Sequence, residues 1–491
     1  MNPPSAEVRG ETAGGFSGFR PAGETSLWRE PLFWLALTLA ATRFLRLGEW
    51  SLWEDEVFTL ADAREWLEPG SARGPRNPLG YMLFAGLIHG LGPVPGEFGM
   101  RFVPALLGVL GIVATGFGFA PLFGARRAAA AAAIVAASSW HLYWSQNARF
   151  YTLAQDFALI GGVLAMRAVL APRGERFLGT ALTALAALLL AAMAQPASAL
   201  LIPAWFGAAL LLPRRRLVPV PRPLPISRAL WLGAGLVGLA LAAWVVPMWL
   251  DFARTKRDPT VLHLLATSGW YFTPALLSAA LFGVWCAWRG RSAPDLLAGL
   301  ACTLTAGLAL LNACFLRAAA QYLFVLLPFV AVLATAPLGD RRTSGRWRWG
   351  WLAALLLPAL CDQALYFAVR HGDRPPWREG FAAVHERSQP GDLVFTNNAN
   401  VGEYYLAPRS DSLRHPVHVH NLDRYSYLAE QHWARQGRRT WFVLNLERLG
   451  EWPREAEADL RRMLASEARL VAAFPVDVGV RDLDVLVYLR E

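Results

Sequence analysis

The sequence predicts an all-α polytopic membrane protein of about eleven transmembrane helices, followed by a small C-terminal α/β domain outside the bilayer. Three observations carry this expectation: 55% of the 491 residues are hydrophobic and 17% charged, arginines cluster between long apolar runs, and the chain turns polar after residue 370. The mean hydropathy of +0.30 fits a chain largely embedded in lipid, because a soluble domain carries about 25% charged residues.

Residues 1–27 are rich in Gly, Pro, Ser and Glu and lack an apolar run, so they read as a disordered cytoplasmic tail rather than a cleavable signal peptide. The first span, 31–47, then serves as its own uncleaved signal. Further spans are expected at 97–120, 127–141, 151–171, 177–194, 197–213, 228–250, 270–288, 294–315, 319–338 and 349–369. Several approach the ~20 residues that cross ~30 Å of hydrocarbon. Arg126 and Arg127, Arg173 and Arg176, Arg214 to Arg216, Arg289 and Arg291, and Arg341 to Arg348 all fall on one side if the N-terminus is cytoplasmic. The stretch 78–91 is apolar but short, which suits a re-entrant or interfacial segment; as a span it would move all those arginines outside.

The membrane domain therefore covers 28–370, with a first extracytoplasmic loop at 48–96. Residues 371–491 form the outer α/β domain, where apolar runs at 392–396, 440–444 and 484–489 alternate with charged helical stretches. It reads as a solvated cap that shapes access to a site, a catalytic role being the other reading.

The net charge of +10 rests on arginine, since Lys256 is the single lysine. Cations set between apolar runs meet phosphates and anionic headgroups, which makes membrane lipids the expected partners and excludes a nucleic-acid groove. Cys286, Cys302, Cys314 and Cys361 lie in apolar segments without metal-ligand spacing and read as small buried hydrophobes.

The first loop is acidic in a basic protein: Glu49, Glu54, Asp55, Glu56, Asp62, Glu65 and Glu68 face Arg64, Arg73 and Arg76. At its centre three carboxylates sit between Trp53 and Phe58. A carboxylate held at the interface can act as a general base once its surroundings tune it, whereas acids on an outer loop are otherwise simply solvated. The second candidate is the segment Trp140–Tyr151, at the expected outer ends of the third and fourth spans. There His141 and Arg149 among aromatics can hold a phosphate, with Gln146 and Tyr151 beside them, although Trp140 and Tyr143 also suit an interfacial belt. Asp156 is an ionisable group within a span and so a functional candidate. Arg317, before Gln321 and Tyr322, either binds a phosphate or anchors a helix end. Arg254, Lys256, Arg257 and His263 are weaker phosphate or acceptor contacts.

Leu47–Glu56, Asn77–Tyr81, Met100–Gly108 and Ser145–Tyr151 together resemble the GT-C glycosyltransferases, nearest the protein O-mannosyltransferase and lipid A aminoarabinose transferase branch in its bacterial family-39-like members. The resemblance runs from about residue 30 to 340, and the Asp-Glu pair after the first span is its most specific element. It implies a bacterial inner-membrane enzyme that takes a sugar from a polyprenyl-phosphate donor, with inversion, to a glycan, lipid or protein acceptor. It implies Asp55 as the base with Glu56 beside it and Arg149 among the groups on the donor phosphate. The residue reading adds Arg317 on that phosphate and Asp156, Tyr151, Gln146, His141, Asn77 and Tyr322 around the substrate. This chain departs from the family at Asn77-Pro-Leu, where a His-Pro-Pro is common, at Gln195, where a His is, and at Gln321-Tyr322, where an Arg-Tyr is. Arg317, one turn upstream of Gln321 if the segment is helical, could stand in for that missing cation. No cofactor is obligatory, and a divalent ion shared by Asp55 and Glu56 stays open. A transporter or flippase is the rival reading; it calls for charge near mid-bilayer and paired broken helices.

Overall fold

A computed structural model describes residues 26–67, 77–92, 95–170, 177–212, 259–290, 292–339, 344–406, 418–422 and 439–491, without 477, 479 and 480 and with the single positions 243 and 247. The expected span at 228–250, most of the N-terminal tail, Arg73, Arg76, Arg254, Lys256 and Arg257 lie outside the described residues.

The helical part comprises α1 (Pro31–Ala40), α2 (Glu54–Leu67), α3 (Pro78–Leu91), α4 (Glu97–Phe123), α5 (Ala125–Ala137), α6 (Ser139–Ser145), α7 (Tyr151–Leu170), α8 (Phe177–Ala194), α9 (Leu201–Leu211), α10 (Val261–Phe272), α11 (Pro274–Gly290), α12 (Ala293–Ala313), α13 (Leu327–Ala334), α14 (Ala336–Gly339) and α15 (Gly345–Ala368). Among the described residues five helical stretches are long and apolar enough to cross a membrane: α4, α7, α12, Ala320–Gly339 and α15; the bent pair α10–α11 makes a sixth. The expected count of about eleven is thus not reproduced. α1, α3, α8 and α9 are shorter apolar helices.

Two of these differences have local causes. The run expected at 127–141 is divided because Ser138 adopts an extended conformation (φ −67°, ψ 121°) and caps α6 through its side chain, which accepts from the His141 amide. The α10–α11 pair bends by 89° at Thr273, whose φ is +61° and which precedes Pro274. In α5 the alanines 128–133 are fully buried, so their small side chains let α1, α4 and α13 approach closely.

The C-terminal domain comprises α16 (Trp377–Arg387), β1 (Leu393–Thr396), α17 (Ala399–Leu406), β2 (His418–Asn421), β3 (Thr440–Asn445), α18 (Leu446–Gly450), α19 (Arg454–Glu467), β4 (Arg469–Phe474) and β5 (Val485–Arg490). Its sheet has the order β2-β1-β3-β5-β4, with β1 parallel to both neighbours and β5 antiparallel to both of its own. One face packs Phe395 and Phe442 against Leu460 and Leu464 of α19. The other face packs Trp377, Phe381, Val485 and Val487 together with Leu52 and Val57 of the first loop. The acidic loop is therefore part of the domain's core rather than a strand of chain beneath a cap.

Candidate active site

Backbone and side-chain bonds from the C-terminal domain fasten residues 48–54. The Tyr405 hydroxyl accepts from the Leu52 amide at 2.7 Å, and the Ser51 hydroxyl donates to Glu379 at 3.1 Å and accepts from the Arg378 amide at 2.9 Å. Arg378 also donates to the carbonyls of Gly48 and Glu49. This anchors the start of α2, whose first turn carries Glu54, Asp55 and Glu56 where the helix dipole favours negative charge. Successive helical residues point about 100° apart, so the three acids reach three different partners.

Glu54 pairs with Arg448 of the C-terminal domain. Glu56 points inward and is fully buried. Its Oε1 accepts from Arg101 Nε at 2.7 Å and the Ala148 amide at 2.8 Å; its Oε2 accepts from Arg101 Nη2 at 2.7 Å and the Trp53 amide at 3.1 Å. The bond to Trp53 is the return half of a capping box. Arg101 directs its remaining donors to the carbonyls of Trp50 and Ser51, both at 2.7 Å, and Leu47 at 3.3 Å. Arg374 Nε stands 3.6 Å from Glu56 Oε2. Burial pushes the Glu56 carboxyl up, but Arg101, Arg374 and the Ala148 amide outweigh it and hold the group below the usual carboxylate range. The expected placement of Glu56 beside Asp55 is corrected accordingly. A buried charge needs its full set of partners, and both Glu56 oxygens are turned to Arg101.

Asp55 is half-buried, and its charge is felt by Arg149, Tyr151 and Tyr322. Arg149 Nη1 donates to the Asp55 carbonyl at 3.1 Å and to Thr59 Oγ1 at 2.8 Å, and its guanidinium lies 4.7 Å from the Phe150 ring centroid. Burial opposes the Arg149 charge, and Asp55, Tyr151 and Tyr81 more than restore it. Tyr81 donates to Asp62 at 2.8 Å and is also hydrogen-bonded to Asn77. The α3 N-terminus reaches this cluster because Gly80 has no side chain: a Cβ there would sit 2.5 Å from Phe150 Cδ1. Asp55, Arg149, Tyr151, Tyr322, Tyr81 and Asn77 thus gather at one end of the bundle.

Arg317 is exposed in a non-helical stretch between α12 and the 3-10 turn Ala320–Leu326, so the helical relation to Gln321 is not formed. Its charge nonetheless reaches Tyr322. His141 and Gln146 are placed differently from expectation. Both are fully buried, His141 Nδ1 lying 3.1 Å from Arg43 Nη2 and Gln146 Nε2 donating to the Leu45 carbonyl at 2.7 Å while its Oε1 accepts from Tyr366 at 3.0 Å. They tie the end of α6 to the chain leaving α1, since polar groups inside a bundle must find internal partners. Asp156 lies farther along α7, its Oδ1 buried without a hydrogen-bond partner against Gly111, where a Cβ would fall 2.3 Å away.

Arg43, Arg101 and Arg374 were not read from the sequence as part of the site. Arg101 had a signal, an arginine inside an otherwise apolar run and within the Met100–Gly108 motif. Arg374 had none, because its partners Glu56 and the Gln146 carbonyl come from the other end of the chain. Among the described residues no group of three or more His, Cys, Asp or Glu is arranged to hold a metal ion.

No protein-family model and no curated protein matches the chain by sequence. By structure it is similar to ArnT from Cupriavidus metallidurans, in the apo state (TM-score 0.54) and bound to undecaprenyl phosphate (0.55), at 15% identity over 93% of this chain and 97% of that one. It is also similar to the Archaeoglobus fulgidus oligosaccharyltransferase in its apo form, with a TM-score of 0.53 at 13% identity over 88% of this chain and 71% of that one. At such identities the likeness speaks to architecture. Over most of its length the chain has the fold of these two proteins.

Proposed function

We propose that this chain is a membrane glycosyltransferase that moves a sugar from a polyprenyl-phosphate donor to an acceptor hydroxyl or phosphate at the extracytoplasmic face of a bacterial inner membrane. One observation carries the reading: a half-buried carboxylate, Asp55, and a guanidinium, Arg149, share one end of the bundle while the neighbouring Glu56 is sealed into a clamp that orients them. The similarity to a protein that binds undecaprenyl phosphate supports the donor class.

In this reading Asp55 takes the proton of the acceptor O–H as its oxygen attacks the anomeric carbon. The bond from that carbon to the phosphate oxygen breaks, the electron pair leaves with the polyprenyl phosphate, and a single displacement inverts the centre. Arg149, aided by Arg317, offsets the charge that grows on the leaving phosphate. Tyr151, Tyr322, Tyr81 and Asn77 shape the pocket around it. Glu56 and Arg101 are positioning residues that set the first turn of α2, and the C-terminal domain holds that turn in place. Asp156, His141 and Gln146 support the surrounding packing.

The test is transfer by the full chain in lipid with a polyprenyl-phosphate sugar. Asp55→Asn should lower turnover by about 10²–10⁴-fold, the range for a lost general base, with thermal stability unchanged. Full turnover in that variant would place the base elsewhere. Arg149→Ala should raise the donor KM about tenfold or more without moving the acceptor KM. An unchanged donor KM would remove Arg149 from the phosphate.

A further inference from the structure

A cavity of about 480 Å³ opens at the seam between the bundle and the C-terminal domain, within the ~300–1,000 Å³ range of small-molecule sites. Its walls are aromatic. Trp140 stacks on Tyr271 with centroids 5.2 Å and planes 16° apart, and Tyr143 and Trp270 extend the surface. Its polar groups come as paired charges. Arg370 lies 3.0 Å from Asp362 and 3.3 Å from Asp373, and Arg481 forks onto Glu447 at 2.6 and 2.9 Å.

Two features show that the cavity is built rather than left over. The indole N–H of Trp140 is buried without a hydrogen-bond partner, although Trp140 lines the space. Asp373 ends a run of three left-handed residues, His371 (φ 49°), Gly372 (φ 64°) and Asp373 (φ 56°). The two non-glycine residues are strained there, a conformation kept where surrounding structure enforces it. Gly372 is obligatory, since a Cβ would lie 2.3 Å from Trp50. The turn places Asp373 at the cavity and the next residue, Arg374, against Glu56.

We infer that this cavity is a carbohydrate subsite that holds a neutral or amino-bearing sugar ring of the acceptor. A sugar ring has an apolar C–H face that packs on aromatic rings, and hydroxyl edges that donate to carboxylates and accept from indole and guanidinium N–H groups. A phosphate finds no such match, because each guanidinium already has a carboxylate and three carboxylates face two guanidiniums. The cavity adjoins the proposed catalytic turn: the Tyr143 ring centroid lies 6.4 Å from that of Trp53, the residue just before α2. Only the word acceptor rests on the glycosyltransferase reading; sugar binding stands on the cavity itself.

The test is saturation-transfer NMR on the full chain in nanodiscs free of glycoside detergent, with methyl glycosides of glucose, mannose, galactose and N-acetylglucosamine, and with glucose 1-phosphate. Wild type and Asp55→Asn should both transfer saturation to the ring C–H protons of at least one methyl glycoside. Gly269→Trp should weaken that binding about tenfold or more, because Gly269 lines the cavity and a Cβ there meets nothing within 4 Å, so the new ring enters open space. Tyr271→Ala should weaken it through loss of the aromatic platform. No transfer from any methyl glycoside, transfer undiminished in Gly269→Trp, or preferred binding of glucose 1-phosphate would each overturn the inference. Sugar binding that persists while Asp55→Asn keeps full turnover would instead sink the catalytic assignment and leave the subsite standing.

Discussion

At the end of the bundle that carries the C-terminal domain, Glu56 and Arg101 form a fully buried bidentate pair, and at the opposite end Asp295 and Arg127 form a second bidentate pair that is largely buried. The second pair joins α12 to α5, with Arg127 also donating to the Val332 carbonyl at 3.1 Å and Ser292 donating to Asp295. The residues beside Asp295 are Pro294 and Leu296, so the acid of that lock has no carboxylate next to it in sequence, and the charged neighbour of the pair is Arg126, beside Arg127. Beside Glu56 stands Asp55, whose backbone carbonyl accepts from Arg149 and whose charge is felt there. The same kind of ion pair joins two helices at one end and, at the other, fixes the first turn of a helix that carries a second carboxylate.

The largest effects should come from opening either lock. Glu56→Gln and Asp295→Asn should each cost about 3–5 kcal/mol, because a buried guanidinium loses its charge partner. Thermal unfolding in detergent measures this. Turnover per folded molecule then separates the ends: it should survive Asp295→Asn and collapse in Glu56→Gln. Equal turnover in the two variants would break the comparison.

A smaller effect is acid sensitivity. Glu56 titrates below its ordinary value of 4.5 in the folded state. Its contribution is therefore complete above pH ~4.5 and disappears as pH falls through the lower folded value. Wild type should lose stability over that acid window more steeply than Glu56→Gln, and parallel profiles would mean that the pair adds no pH-linked stability. The smallest effect belongs to Glu54, whose partner Arg448 is 38% exposed. Glu54→Gln should change stability by roughly 1 kcal/mol or less. A larger loss, read from the same melts, would mean that the third acid of the turn is also a lock.

The long apolar runs at Glu97–Phe123, Tyr151–Leu170, Ala293–Ala313, Ala320–Gly339 and Gly345–Ala368 were legible because hydropathy is local, and all became helices of spanning length. The stretch at 127–141 was less legible, since Ser138 interrupts it through a single capped, extended residue that composition does not reveal. Within the acidic loop, Asp55 was legible as a candidate by its position after the first apolar helix. That Glu56 would leave its side was not, because the decision belongs to Arg101 and Arg374.

The sequence alone determined the lipid-embedded character of the chain, the polar C-terminal domain and the concentration of acids just after the first apolar helix, all of which follow from the order of residues along short windows. Only the tertiary structure decided which of three adjacent carboxylates is sealed, which is tied to the C-terminal domain and which is left at the site. A helix sends neighbouring side chains in different directions, and the partners that receive them come from segments far apart in the chain.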